Sequence, residues 1–412
     1  MSATATIIER IERLARISAY PWNLTRRVFS PEQTEAEGLV RGWMEEAGLT
    51  TRRDPIGNLI GRVEGSVPGG PAVVIGGHID TRKDASRYDG TLGLLTGIAA
   101  VGDVIRGGAP WRHAIEVVAL VTDAAGRFGL PRPGSRAVVG RLDRDALDLD
   151  DDYGVTLHEA LQSQGLDPKM LPGARRSADA IVAYLEIAAE AGPVLDWAGS
   201  PVGIVPALSA SSILRVALTG QAVGAATVPT SGRRDALSGM AECILDAERI
   251  GSARKGVTVT VMRVDVESMS TFTVTGRATF GVCILSCDDA ERNAAVTDLV
   301  AAFEGIAARR RLEIGIDMGI DPDATRCEPG IVRLFERAVE AAGHPPVRLA
   351  QGVATDAANM ALLGPVGLAL IRCRGGVGWG AAGVVETADI QVGLNVLTSV
   401  LATLTSGTSA PP

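Results

Sequence analysis

The apolar run Ala72-Val-Val-Ile-Gly-Gly77 narrows the choice of fold more than any other stretch of this chain. It is too short for a helix, contains β-branched residues and closes on two glycines, so it reads as a strand buried on both faces. A helical pattern over residues 92–105 follows it, and a second apolar run over 115–121 follows that. This alternation predicts a βαβ unit and a largely parallel sheet covered by helices. Ligands of such sheets collect at the carboxyl ends of the strands. Those ends carry His78-Ile-Asp80-Thr81 and residues 123–128, with Tyr88-Asp89-Gly90 close behind the first. One histidine and two carboxylates at a strand end are the chemistry of half a two-metal site.

The organisation of the rest follows from changes in hydrophobic pattern. Helical spacing of apolar positions runs over 4–16 and 31–48, the second opened by Ser30-Pro31-Glu32 as N-cap and first turn. Near Gly203-Ile-Val-Pro206 alternating patterns take over, at 211–220, 256–266 and 271–285, with helical stretches at 234–250 and 289–310. Strand, helix, strand, strand, helix, strand is a compact α+β unit. From about Pro329 the α/β pattern returns: a helix over 331–342, an apolar run over 366–371, Gly375-Gly376, and a last helix over 390–405. The expected architecture is a discontinuous α/β domain, residues 1–207 and 326–412, interrupted by an α+β domain over 208–325. The tail 406–412 is expected to fray. A chain of 412 residues with 46% apolar content can fill two such cores.

Composition removes several function classes. A net charge of -8 with 21% charged residues gives no electrostatic case for nucleic acid or an anionic membrane. No apolar run approaches the roughly 18–20 residues that span a bilayer. The opening Met1-Ser-Ala-Thr-Ala-Thr-Ile-Ile-Glu-Arg lacks the basic and apolar regions of a signal peptide. The five cysteines are odd in number and scattered; Cys283 and Cys287 have no second pair to complete a zinc knuckle. Free thiols in a reducing cytoplasm are the expectation.

Taken together, the motifs resemble the zinc-dependent N-carbamoyl-amino-acid amidohydrolases and allantoate amidohydrolases, of the aminoacylase and carboxypeptidase clan. The resemblance runs nearly end to end: Phe29-Ser30-Pro31-Glu32, Trp43-Met-Glu-Glu-Ala-Gly-Leu49, Gly57-Asn58-Leu59, Gly77-His78-Ile-Asp80-Thr81 and Tyr88-Asp89-Gly90-Thr-Leu-Gly93 carry its first half. Gly134-Ser135-Arg136-Ala137, Gly192-Pro193-Val194-Leu195, Arg233-Arg234-Asp235-Ala236-Leu237 and Asp356-Ala357 carry the second. It implies an α/β fold of the two-domain dizinc-peptidase type, with an inserted α+β lid that dimerises. It also implies hydrolysis of an amide or ureido bond by metal-activated water. In the family the residues matching His78 and Asp89 are a metal ligand and the bridging ligand, and the one matching Asp80 supports the histidine.

Other positions depart from the family. Ala124 and Ala125 match its paired glutamates, one of them the general base. Ala188 and Trp379 match ligand histidines, and Ala191 a glutamine that contacts substrate. Gly224 matches the lid histidine, Phe272 and Leu285 the lid asparagine and arginine, and Thr355 the histidine before Asp356. The chain has only four histidines (His78, His113, His158 and His344), and only His78 is placed as a ligand. An ordinary dizinc site is therefore not expected, and no cofactor is assigned; a residual single metal at His78 and Asp89 is the alternative. The same trio also reads as a hydrogen-bonded remnant, or as a metal-free acid–base site.

The leading expectation is a repurposed enzyme acting on a small amide or ureido compound without a metal pair. Its candidate catalytic residues are His78, Asp80, Asp89 and Glu190, and its candidate substrate contacts Arg233, Phe272, Trp379 and Asp356. One alternative is a non-catalytic ligand-binding or partner subunit of an active paralogue. The other is a conventional metal-dependent N-carbamoyl-amino-acid or allantoate hydrolase. Structural readings stand beside these roles: Glu190 as a salt-bridge partner, Arg233 making structural contacts or facing solvent, Trp379 and Phe272 as core filling. The expected partners are a small molecule and a second copy of the chain through the lid.

Overall fold

A computed structural model describes residues 2–267, 270–320, 323–350, 352 and 355–406. The chain divides into two compact units, the larger drawn from both ends of the sequence and the smaller formed chiefly by Ala207–Arg326. Of the tail expected to fray, 406–412, all but Ser406 lies outside the described residues.

The larger unit is built on an eight-stranded sheet. Its order is Thr50–Arg53, Leu59–Val63, Ala114–Leu120, Ala72–His78, Ile181–Ala189, Val366–Ile371, Val202–Val205 and Val347–Arg348. The four central strands, Ala114–Leu120 through Val366–Ile371, run parallel, so their carboxyl ends share one edge. The flanking strands Leu59–Val63 and Val202–Val205 run antiparallel to them, which makes the sheet mixed. Central strands are buried on both faces, hence their near-continuous apolar runs: every residue of Ala114–Leu120 and Val366–Ile371 is buried.

Helices cover the sheet. Thr91–Gly107 carries buried residues all round and ends on Gly108 in the left-handed conformation, φ 66°. Pro31–Glu46 starts where expected: the Ser30 hydroxyl accepts the Gln33 N–H as N-cap. Thr387–Thr405 is, among the described residues, the one helix long and apolar enough to cross a membrane. It packs on Thr91–Gly107 and on Pro329–Ala341, with Ile390, Leu394, Leu397 and Leu401 buried in the core. Gly76 shows how tightly the sheet is filled, since a Cβ there would lie 1.8 Å from the Tyr184 hydroxyl.

The smaller unit is a four-stranded antiparallel sheet in the order Glu313–Ile320, Ala210–Thr219, Arg277–Ser286, Val257–Glu267. Helices Ala236–Ala253 and Asp289–Arg310 pack on its inner face, where Leu214, Phe280, Ile284, Met240, Leu299 and Phe303 form one core. Alternate burial along Arg277–Ser286 is the period-two signature seen in its sequence. One element differs from expectation. The strand expected over 271–285 begins only at Arg277, because residues 271–274 turn and bridge instead to Gly224 and Val223.

Candidate functional site

The parallel topology brings four strand ends together in the larger unit, and His78 is the last residue of one of them. Its ring Nδ1 lies 2.7 Å from the Asp80 backbone carbonyl, which leaves Nε2 facing outward, 3.8 Å from Asp89 Oδ1. The turn that makes this approach possible needs Gly90. Its φ is +69°, and a Cβ there would sit 2.3 Å from His78 Nδ1. Burial by itself would lower the pKa of His78, but the facing charges of Asp89 and Asp80 outweigh it and hold the imidazole above its ordinary value.

Asp80 pairs with His78 through its backbone carbonyl, while its carboxylate bonds elsewhere. Oδ1 accepts the Thr122 N–H at 3.2 Å and Oδ2 accepts the Ala124 N–H at 2.8 Å, so its carboxylate fixes the next strand end. Below it lies Arg26, fully buried, donating to the carbonyls of Leu14, Ile17 and Ile79. Burial pushes its pKa down to about 10 against the opposing pull of Asp80 and Asp89.

At the second strand end the loop after Val121 is organised by Asp123, which adopts a left-handed φ of 53°. Its carboxylate accepts the N–H groups of Arg127, Phe128 and Leu130, and burial pushes its pKa up to about 6. Asp123 is thus spent on its own loop. Glu190, at the third strand end, is spent likewise: its oxygens accept the N–H groups of Val194 and Leu195 at 2.8 and 3.0 Å. The structure places Glu190, a candidate catalytic residue, in a structural role, its carboxylate holding the start of the short helix Val194–Ala198. Among the described residues Glu190 makes no ion pair beside these two bonds.

Trp379 reaches the site from the loop after the fourth strand, its carbonyl holding the Ser86 N–H at 3.0 Å. Its ring carries the guanidinium of Arg82, with Cζ 4.3 Å from the ring centroid. Arg82 Nε lies 3.8 Å from Asp89 Oδ2, and the Arg82 N–H points at the same oxygen from 3.4 Å. The two oxygens of Asp89 therefore face one residue each, His78 on one side and Arg82 on the other. Sequence reasoning misses Arg82; its signal is a cation set between Asp80 and Asp89 in a segment already singled out.

Asp356 belongs to a buried network behind this site and not to a surface that meets solvent. It accepts from Ser135 at 2.5 Å and Thr122 at 3.2 Å, while Glu186 accepts from Tyr184 at 2.7 Å and the Ala357 N–H at 3.0 Å. Burial, and then the neighbouring Asp356, push Glu186 up to about 7; burial also raises Asp356. In the smaller unit, Arg233 donates to the carbonyls of Val228 and Ala225 and so holds its own loop, a structural role. Phe272 is exposed, not core filling, and its carbonyl accepts the Ala225 N–H, which sets it beside Gly224.

Whether these residues suit a metal pair can be tested on the donors themselves. His78 Nε2 and Asp89 are the two open candidates; Asp80, Asp123 and Glu190 are taken by backbone N–H groups, and Ala124, Ala125 and Ala188 have nothing to offer. Among the described residues no three His, Cys, Asp or Glu side chains are grouped to hold a metal ion. A guanidinium also lies 3.8 Å from one oxygen of Asp89.

Comparison with known proteins places the whole chain. No protein-family model matches it. It is 33% identical to an N-carbamoyl-L-amino acid amidohydrolase of Geobacillus stearothermophilus, over 94% of this chain and 95% of that protein. It is 30% identical to an allantoate deiminase of Arabidopsis thaliana, over 95% of this chain and 80% of that one. The crystal structure of a hydantoinase/carbamoylase family amidase from Burkholderia multivorans superposes with a TM-score of 0.90 at 26% identity, covering 98% of each chain.

Proposed function

The chain belongs to the N-carbamoyl-amino-acid amidohydrolase and allantoate deiminase family, and we propose that it acts on a small amide or ureido compound beside His78 and Asp89 without a metal pair. The observation that carries this reading is the approach of His78 Nε2 to Asp89 Oδ1 at 3.8 Å, which lets one small reacting group touch both. In the hydrolysis of a C–N bond, Asp89 takes a proton from water as its oxygen adds to the carbonyl carbon. His78 gives its Nε2 proton to the leaving nitrogen as the C–N bond breaks. The proton held by Asp89 then returns to His78, and every atom is accounted for. The Asp80 carbonyl keeps the Nδ1 proton in place and so fixes which nitrogen reacts.

A second reading has its own support. Identity of 33% across nearly the whole of the Geobacillus stearothermophilus protein favours ordinary metal-dependent hydrolysis of an N-carbamoyl amino acid or allantoate over the metal-free reading. One experiment separates them. The protein is purified without chelator, offered zinc or manganese, analysed by inductively coupled plasma mass spectrometry, and assayed with N-carbamoylglycine and allantoate with and without EDTA. The metal-free reading expects no bound metal and turnover indifferent to EDTA. Two equivalents of metal with EDTA-sensitive turnover would overturn it in favour of the second reading. No turnover of any amide or ureido compound would leave a binding subunit.

A further inference from the structure

The geometry points to Arg82, stacked on Trp379, as a carboxylate-binding residue at the mouth of the His78–Asp89 site. Its ligand is a small molecule bearing a carboxylate. A guanidinium offers five N–H donors in a planar fork, yet among the described residues Arg82 meets only the Asp89 carboxylate and the Trp379 ring. Nε is shielded from solvent and has no hydrogen-bond acceptor. The side chain as a whole is 43% exposed, so the terminal end of the fork faces outward. Trp379 presses one face of the plane at 4.3 Å and fixes its orientation. A stacked, oriented fork is the form of arginine that grips a planar carboxylate through two parallel N–H bonds.

Charge supports the same assignment. With no metal pair, the cations around Asp89 are His78, buried Arg26 and Arg82. Arg26 donates to three carbonyls and, though its Nη2 has no partner, is closed off from solvent and from any ligand. Arg82 alone of the three combines a fixed position, a full charge and open donors. It lies on the opposite side of Asp89 from His78, so a ligand carboxylate held there places the rest of a short molecule across the gap where His78 Nε2 waits. This inference rests on the proposed amide or ureido chemistry for the second group of the ligand, but not for the carboxylate itself.

Saturation-transfer NMR titrations at fixed ionic strength, with chelator present, test it using acetate, N-carbamoylglycine and the neutral N-carbamoylglycinamide. Both carboxylates should bind, and N-carbamoylglycine about tenfold or more tighter than its amide, the scale of a charge-assisted pair of hydrogen bonds. Arg82→Gln should abolish that preference and Arg82→Lys, which keeps the charge but loses the fork, should keep part of it, both with wild-type unfolding midpoints. Should Arg82→Gln not fold, Arg82→Lys decides, an undiminished preference overturning the assignment. Absence of carboxylate binding in the wild type, or a preference that survives Arg82→Gln, also overturns it. Arg82-dependent binding of acetate with no gain from the ureido group would uphold Arg82 and sink the ureido reading instead.

Discussion

At the scale of single residues, Gly90 and His78 carry the clearest consequences. Gly90→Ala meets both a left-handed backbone and the His78 ring, so it should cost on the order of 1–3 kcal/mol of stability and displace the imidazole. Chemical denaturation and the His78 ring resonances would check both halves, and a variant with wild-type stability and resonances would refute the packing argument. His78→Ala should lower turnover by about 10²–10⁴ with only a modest fall in the unfolding midpoint, since the ring contributes one bond to the Asp80 carbonyl and a charge facing Asp89. A large fall in stability would mean that His78 is a structural remnant. Arg82 shows the limit of reading residues singly: its number in the chain puts it near the site, but its stacking on Trp379, almost three hundred residues away, belongs to the fold.

At the scale of elements, the strand ends are shaped by acidic side chains that serve backbone N–H groups. Asp80 anchors the end of Ala114–Leu120, Asp123 the loop beyond it, and Glu190 the helix Val194–Ala198. Glu190→Ala leaves the Val194 and Leu195 N–H groups, the second of them buried, without acceptors and should destabilise by about 1–3 kcal/mol, with turnover unaffected; a fall in turnover at unchanged stability would place Glu190 in the catalytic set. The elements themselves are largely legible in the sequence. The helices over 31–48, 289–310 and 331–342 and the run over 366–371 fall within a few residues of Pro31–Glu46, Asp289–Arg310, Pro329–Ala341 and Val366–Ile371, because strong periodicity and capping residues mark them. Ile181–Ala189 is not legible as a strand. It carries three alanines and a glutamate, and only the central position of the strand in the sheet makes that composition tolerable.

At the scale of the whole molecule, the buried acids of the larger unit set how stability responds to pH. Glu186, raised to about 7, Asp123, raised to about 6, and Asp356, raised by burial, all bind their protons more tightly folded than unfolded. Each therefore contributes stability that is complete below its unfolded value and lost as pH rises through the folded one. Unfolding free energy should fall between about pH 5 and pH 7.5, Glu186 alone contributing on the order of 1–3 kcal/mol. Glu186→Gln keeps an acceptor for Tyr184 and should flatten that slope. Urea unfolding at several pH values, wild type against variant, checks this; parallel slopes would rule out Glu186 as the source.

Order along the chain is enough to establish the layered α/β architecture, the inserted α+β unit and the family, because periodicity, glycine turns and local motifs are properties of sequence neighbours. It also locates His78, Asp80 and Asp89, which lie within one short segment. What each side chain does there depends on contacts made across the fold. A carboxylate is a base, a ligand or an N–H acceptor according to what stands within about 3 Å of it, and those neighbours come from strands far apart in sequence. That is why Glu190 and Asp123 are anchors, Asp356 joins a buried network with Ser135 and Thr122, and Arg82 rests between Asp89 and Trp379.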